Sequence, residues 1–151
     1  MGTPDFAVPP LQTLLADENI EIVAVVTQPD QKIGRKQILT ASPVKTIALE
    51  EGLPVLQPEN TRKNPEFVTL LKSLKPDFIV VVAYGQILPK TIVHLPKFGC
   101  VNMHGSLLPK YRGASPVEEA LVQGDKETGI TFIRLAESLD SGDIWLMQRL
   151  K

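Results

Sequence analysis

A single cysteine, Cys100, in 151 residues excludes an internal disulfide framework and a multi-cysteine metal site. It makes a reducing, cytoplasmic compartment the expectation. No run approaches the roughly 18 apolar residues of a membrane span, since the longest candidate covers only residues 78–83. The first residues, Met1-Gly2-Thr3-Pro4-Asp5, lack the basic start and apolar stretch of a signal peptide. Neither sign of charge dominates: 16 Lys and Arg stand against 17 Asp and Glu, so nothing pulls the whole chain toward nucleic acid. Gly-x-Gly-x-x-Gly and Walker motifs are missing, which disfavours dinucleotide and triphosphate binding. There is no Gly-x-Ser-x-Gly elbow, and Cys100 lies inside an apolar stretch, so covalent catalysis lacks a nucleophile.

What is present is globular, with 43% hydrophobic and 22% charged residues in a length that suits one domain. The two apolar runs Ile22-Val23-Ala24-Val25-Val26 and Phe78-Ile79-Val80-Val81-Val82 are β-branched and show no period of two. Strands of that kind are buried on both faces, as in a parallel sheet covered by helices. Helix starts stand between them. Ser42-Pro43 and Asn64-Pro65 each place a capping residue before a proline, and Ser115-Pro116-Val117-Glu118 reads as a capping box. Phe67, Leu70, Leu71 and Leu74 then repeat at helical spacing.

The predicted order is helix 8–17, strand 22–27, helix 43–51, a short strand near Val55, helix 65–74 and strand 78–83. A short helix 90–94, strand 99–103, helix 116–123 and strands 129–135 and 143–149 complete it. This alternation predicts an α/β fold: an open, mostly parallel, Rossmann-like sheet with helices on both faces. The chain starts at a strand-to-helix turn and stops just after a strand, so a piece of a longer domain, without its first strand, is expected. The 31–46 stretch carries Lys32, Arg35, Lys36 and Lys45 and no acid. It reads equally as a phosphate-facing patch and as a solvated basic loop.

Polar residues gather after three predicted strands: Tyr84-Gly85-Gln86-Ile87-Leu88-Pro89, then Asn102 and His104 with Gly105-Ser106-Leu107-Leu108-Pro109, then Leu139-Asp140-Ser141-Gly142-Asp143. If those strands run parallel, the three loops face one crevice, the default geometry for a site. Asn102 and His104 are two apart and point the same way on a strand. An Asp140 carboxylate would orient the imidazole and favour its charged form. The Asn102 amide would meet a developing oxyanion, a role worth about 3–4 kcal/mol in other enzymes. Alone, a histidine at a strand end is more often a structural hydrogen-bonder, and His94 reads as surface. A His–Asp pair also lacks the third ligand of a metal site. Direct transfer between two bound substrates fits this inventory.

The run Asn102-Met103-His104-Gly105-Ser106-Leu107-Leu108-Pro109-Lys110-Tyr111-Arg112-Gly113, with Leu139-Asp140-Ser141-Gly142-Asp143, resembles the signature of the folate-dependent formyltransferases. The resemblance extends over 1–151 through Met1-Gly2-Thr3-Pro4-Asp5-Phe6-Ala7-Val8-Pro9, Thr27-Gln28-Pro29-Asp30, Gly34-Arg35, Ser42-Pro43-Val44-Lys45 and Ala83-Tyr84-Gly85-Gln86-Ile87-Leu88-Pro89. It implies the formyltransferase fold, with Asn102, His104 and Asp140 as the catalytic set and no metal. It implies 10-formyltetrahydrofolate as formyl donor, its pterin held by backbone groups of Gln86, Ile87 and Leu88, with Ser106, Leu107, Leu108 and Pro109 lining the folate pocket. The segments outside the signature are similar to the branch of the family whose acceptor is the α-amine of methionine on initiator tRNA, for translation initiation. In that branch a loop at this place meets the tRNA acceptor stem, which assigns Arg35 to it and Lys32 and Lys36 to phosphates. Here Lys32-Ile33 and Lys36-Gln37-Ile38 replace a Pro-Ala and Gly-Lys-Lys-like run, and Ala41 stands where proline is common. A monomer is expected, and a C-terminal tRNA-binding domain of the branch lies outside the chain. Two alternatives share these residues: a sugar-amine formyltransferase using the same donor, and an inactive truncated remnant that at most binds folate. The basic loop argues against the first, and the intact Asn/His/Asp set against an old remnant.

Overall fold

Two helices begin where a polar side chain precedes a proline and closes the first turn. Ser42 Oγ accepts from the Lys45 amide at 3.1 Å, ahead of a helix over Pro43–Glu50. Asn64 Oδ1 accepts from the Phe67 amide at 2.9 Å, ahead of a helix over Pro65–Ser73. A third helix, Pro116–Val122, forms as predicted, but Ser115 makes no side-chain cap bond, so the expected capping box is absent. The backbone gives the reason. Ser115 sits at ψ 51°, against the extended 152° that aims the Ser42 hydroxyl, and its short side chain cannot compensate as the longer Asn64 does at ψ 84°.

The structure, a computed structural model, describes residues 1–137 and 140–150. Ser138, Leu139 and Lys151 lie outside the described residues, and with them one residue of the Leu139–Asp143 motif. The chain divides into two units. Unit one comprises Met1–Lys75 and Val82–Pro89; unit two comprises Pro76–Val81 and the chain from Lys90 onward. In chain order the elements are α1 (Val8–Leu15), β1 (Val25–Val26), β2 (Gln31–Ile33), β3 (Ile38–Thr40), α2 (Pro43–Glu50), β4 (Val55–Leu56) and α3 (Pro65–Ser73). Then follow β5 (Ile79–Val81), α4 (Lys90–Val93), β6 (Cys100–His104), α5 (Pro116–Val122), β7 (Thr128–Arg134) and β8 (Ile144–Leu150). A single 3-10 turn, Asp5–Ala7, leads into α1.

In unit one, β1 pairs with β4 in parallel, Val25 opposite Val55. The ladder is shorter than the predicted 22–27. α2 packs on both strands, with Val44 and Ala48 buried. Met1 and Gly2 occupy the pairing position beside β1: the Gly2 amide donates to Val26 O at 3.0 Å, and Met1 O accepts from the Val82 amide at 2.9 Å. Gly2 suits that approach, because a Cβ there would fall 2.7 Å from Ala7 Cβ and 3.0 Å from Val82 O. Residues 31–40, read as a basic loop, are an antiparallel hairpin of β2 and β3, with Lys32 opposite Leu39. Gly34 at φ +67° and Gln37 at φ +50° turn the chain.

Unit two holds a four-stranded sheet in the order β5-β6-β7-β8. β5 and β6 are parallel; β6 with β7 and β7 with β8 are antiparallel. The α/β class stands, with parallel pairs β1–β4 and β5–β6; within this sheet only β5–β6 is parallel, so parallel alignment of all three site-bearing strands is corrected. The reason shows in β7, whose inner face carries Gly129, Thr131 and Ile133 in strict alternation with less buried residues. Such alternation marks a strand covered on one face, which suits an antiparallel neighbour. Ile79, Val81, Ile92, Val101, Met103 and Ile133 supply much of the core. Among the described residues no helix is long and apolar enough to cross a membrane.

Candidate active site

β6 runs through His104, so Asn102 and His104 project from the same side of one strand, as their spacing predicts. Asp140 reaches them by another route than a parallel strand end. Beyond β7 the Leu135 amide returns to Cys100 O at 2.8 Å, and the Arg134 amide takes Asp143 O at 2.9 Å. The chain turns between those bonds with Asp140 at φ +46°, a left-handed conformation that side chains other than glycine rarely adopt.

The result is a compact polar cluster within unit two. Asn102 Nδ2 donates to Asp140 Oδ1 at 3.3 Å, and the Gly113 amide donates to Asp140 Oδ2 at 2.9 Å. His104 Nδ1 stands 3.7 Å from Asp140 Oδ2, an ion-pair distance rather than a hydrogen bond, with both side chains buried. Its other nitrogen, Nε2, lies 2.8 Å from the carbonyl oxygen of Tyr111. A carbonyl only accepts, so Nε2 carries a proton, and an oxygen faces each ring nitrogen.

The loop after β6 is fixed from beneath. Thr131 Oγ1 donates to Ser106 O at 2.6 Å and accepts from the Leu108 amide at 3.2 Å. Ser106 Oγ donates to Lys110 O at 2.6 Å. Ser106 and Leu108 are buried, Leu107 half-buried and Pro109 exposed. The Tyr111 phenol donates to Asp125 Oδ2 at 2.8 Å, and Lys110 Nζ approaches the same oxygen at 3.1 Å. Those two bonds, Tyr111 first, hold the Asp125 carboxyl below the usual carboxylate range. Cys100 is buried with Sγ 3.6 Å from Ile92 O, and burial pushes its thiol up to about 12, so it remains a thiol. Among the described residues no three His, Cys, Asp or Glu side chains gather as metal ligands.

The remaining candidates lie in unit one. Gln86 is tied by its side chain: Oε1 accepts from the Thr61 amide at 2.9 Å, and Nε2 donates to Pro58 O at 3.0 Å and Glu59 O at 3.3 Å. Thr61 Oγ1 donates to Ile87 O at 3.3 Å. These bonds tie Gln86 and the Ile87 carbonyl to residues 58–61, while the Ile87 side chain is exposed. Lys32, Arg35 and Lys36 are exposed on the hairpin. Lys45, counted with them on charge, instead pairs with Asp30 at 2.8 Å at the hairpin base, where Gln57 also bonds Asp30 at 2.8 Å.

Sequence reasoning missed the Tyr111 carbonyl, the Gly113 amide, Thr131 and Asp125. Backbone groups carry no residue signature; the one available cue was a glycine, Gly113, whose φ of +113° frees its amide to face Asp140.

A family model described as formyl transferase matches residues 2–151. Methionyl-tRNA formyltransferase from Caldanaerobacter subterraneus subsp. tengcongensis is 53% identical over 150 residues, covering 99% of this chain and 48% of that protein. The chain thus spans about half the length of the curated relatives it matches. Among solved structures, phosphoribosylglycinamide formyltransferase from Anaplasma phagocytophilum superposes with a TM-score of 0.78 at 20% identity, over 99% of this chain and 69% of that one; the likeness is one of fold. Methionyl-tRNA formyltransferase from Clostridium thermocellum aligns with a TM-score of 0.55 at 26% identity, over 70% of this chain and 46% of that one.

Proposed function

This chain belongs to the formyl transferase family, and on that premise we propose that it carries the chemistry of a methionyl-tRNA formyltransferase. A formyl group passes from 10-formyltetrahydrofolate to the α-amine of methionine on initiator tRNA, in the cytoplasm. The observation that carries the reading is the meeting of Asn102, His104 and Asp140 within unit two, at 3.3 Å and 3.7 Å.

The amine attacks the formyl carbon and the carbonyl oxygen takes up negative charge. Asn102 gives one amide hydrogen to Asp140 and keeps a second for that oxyanion. Nε2–H of His104 is directed at the Tyr111 carbonyl, so the imidazolium acts in this arrangement as a nearby positive charge. Asp140 stabilises that charge beside Nδ1; a proton from the attacking amine passes through water to N10 of the donor as the carbon–N10 bond breaks, which restores the carbonyl and releases tetrahydrofolate. In unit one, backbone groups of Gln86, Ile87 and Leu88 suit a planar, hydrogen-bonding pterin; in unit two, Ser106, Leu107, Leu108 and Pro109 are the residues assigned to folate. Lys32, Arg35 and Lys36 meet acceptor-stem phosphates. A tRNA-binding domain like that of the branch completes the molecule, which acts as a monomer.

The test is formylation of methionyl-initiator tRNA by this chain with 10-formyltetrahydrofolate, beside a thermal scan with and without a tetrahydrofolate analogue. Transfer that is lost in His104→Ala, with a transition raised by the analogue, is the expected result. Formylation of a nucleotide-sugar amine with none of methionyl-tRNA would refute the acceptor assignment. A transition indifferent to the analogue would refute donor binding.

A further inference from the structure

We propose that Tyr111 and Asp125 are positioning residues of the formyl-transfer site: the phenol of Tyr111 on Asp125 fixes the loop that clamps His104 and Asp140 together. The inference rests on the transfer reading above for its consequence in catalysis, but not for its geometry.

One short loop touches both titratable members of the site. Tyr111 O takes the proton on His104 Nε2 at 2.8 Å, and two residues later the Gly113 amide meets Asp140 Oδ2 at 2.9 Å. Tyr111 holds φ +56° to present that carbonyl. A non-glycine residue persists there only where its surroundings over-determine it. Three anchors do so. Ser106 Oγ bonds Lys110 O at 2.6 Å, the Tyr111 phenol bonds Asp125 at 2.8 Å, and Lys110 Nζ reaches the same carboxylate at 3.1 Å. Asp125 is itself anchored just beyond the end of α5. Gly124 at φ +68° stops the helix, and the Asp125 amide returns to Ala120 O at 3.0 Å.

Lys110 is largely exposed, and a surface ion pair holds little. The phenol–carboxylate bond is the stronger, shorter link, being charge-assisted and half-buried. Cutting it lets the Tyr111 carbonyl leave Nε2. The imidazole then turns, and His104 and Asp140 lose their common orientation. Neither Tyr111 nor Asp125 touches reacting atoms through its side chain; both act through His104 and Asp140.

The chain has only two histidines, so 15N imidazole spectra report His104 directly once His94→Ala assigns the other signal. Hydrogen exchange at His104 Nε2 is compared in the native chain, Tyr111→Phe, Asp125→Ala and Asp125→Asn. The expected result is exchange about tenfold faster in Tyr111→Phe and Asp125→Ala. Asp125→Asn, whose amide oxygen still accepts from the phenol, keeps most of the protection. Transfer then loses kcat in the same order, with the donor KM unchanged. Unaltered exchange in both disruptive variants overturns the proposal, as does an Asp125→Asn no better than Asp125→Ala. Tyr111→Phe removes a single oxygen, so it decides the matter should Asp125→Ala fail to fold. A Tyr111→Phe that itself does not fold makes the phenol a folding element and also overturns it. Absence of formyl transfer in the native chain would defeat the transfer reading alone, since the imidazole spectra need no turnover.

Discussion

Asn102 and Gly142 show two ways in which one residue governs the site. Asn102 supplies a donor, and Asn102→Ala is expected to lower kcat by about 10²–10³-fold with the donor KM little changed, as steady-state transfer assays would show. Gly142 supplies an absence. A Cβ there would sit 1.7 Å from the carbonyl oxygen of Arg134, at the end of β7. Gly142→Ala must therefore push the turn off the strand and carry Asp140 away from Asn102. Its expected cost is about 1–3 kcal/mol in thermal or denaturant melts, with transfer reduced far more than stability. At this scale the cluster of Asn102, His104 and Asp140 was legible, because Asn, His and Asp have distinctive chemistry and Asn102 and His104 share a strand face. The Tyr111 carbonyl and Gly113 amide were not, since any residue offers those groups.

The basic hairpin is the element whose strands were hidden in the sequence. Alternation in Gln31–Ile33 and Ile38–Thr40 is too short to signal strands, and every hairpin residue from Gln31 to Leu39 is exposed. The burial pattern that betrays other strands is missing. Its base is firm: Lys45, then Gln57, hold the Asp30 carboxyl below its ordinary value. Because the folded value is lowered, this support is complete above the ordinary carboxylate range and is lost as pH falls through the lowered value. Lys45→Ala should weaken that acid dependence in hairpin amide exchange, leaving the part due to Gln57. Arg35→Ala should weaken tRNA formylation and reduce its salt dependence by about one phosphate contact, leaving donor affinity intact; equal loss of donor affinity would count against the assignment. Helix α2 depends on its cap, and Ser42→Ala should cost about 1 kcal/mol in a thermal melt. Helices were the most legible elements because a cap before proline is a local signal. The direction of β7 was not, since pairing with β6 is decided by a partner distant in sequence.

Across the whole molecule two buried groups contribute to the alkaline limb of stability. Burial pushes the Cys100 thiol and the Tyr84 phenol each up to about 12. Folded values raised above unfolded ones give stability that is full below the unfolded values and fades as pH climbs toward the folded ones. Unfolding free energy should therefore fall from about pH 9 upward, and Cys100→Ala should delay that onset toward the tyrosine range near 10. Denaturant midpoints across pH would show it. Tyr84 OH is buried without a hydrogen-bond partner among the described residues. Tyr84→Phe should thus stabilise the chain by about 1–3 kcal/mol at neutral pH. The division into units has a consequence for how the molecule is made and broken. The chain leaves unit one after Lys75, re-enters it at Val82 and leaves again after Pro89. When Pro89 emerges from the ribosome both of these segments of the first unit have been made, while Pro76–Val81 still awaits the strand Cys100–His104 that pairs with it. No single nick by a protease can release either unit whole.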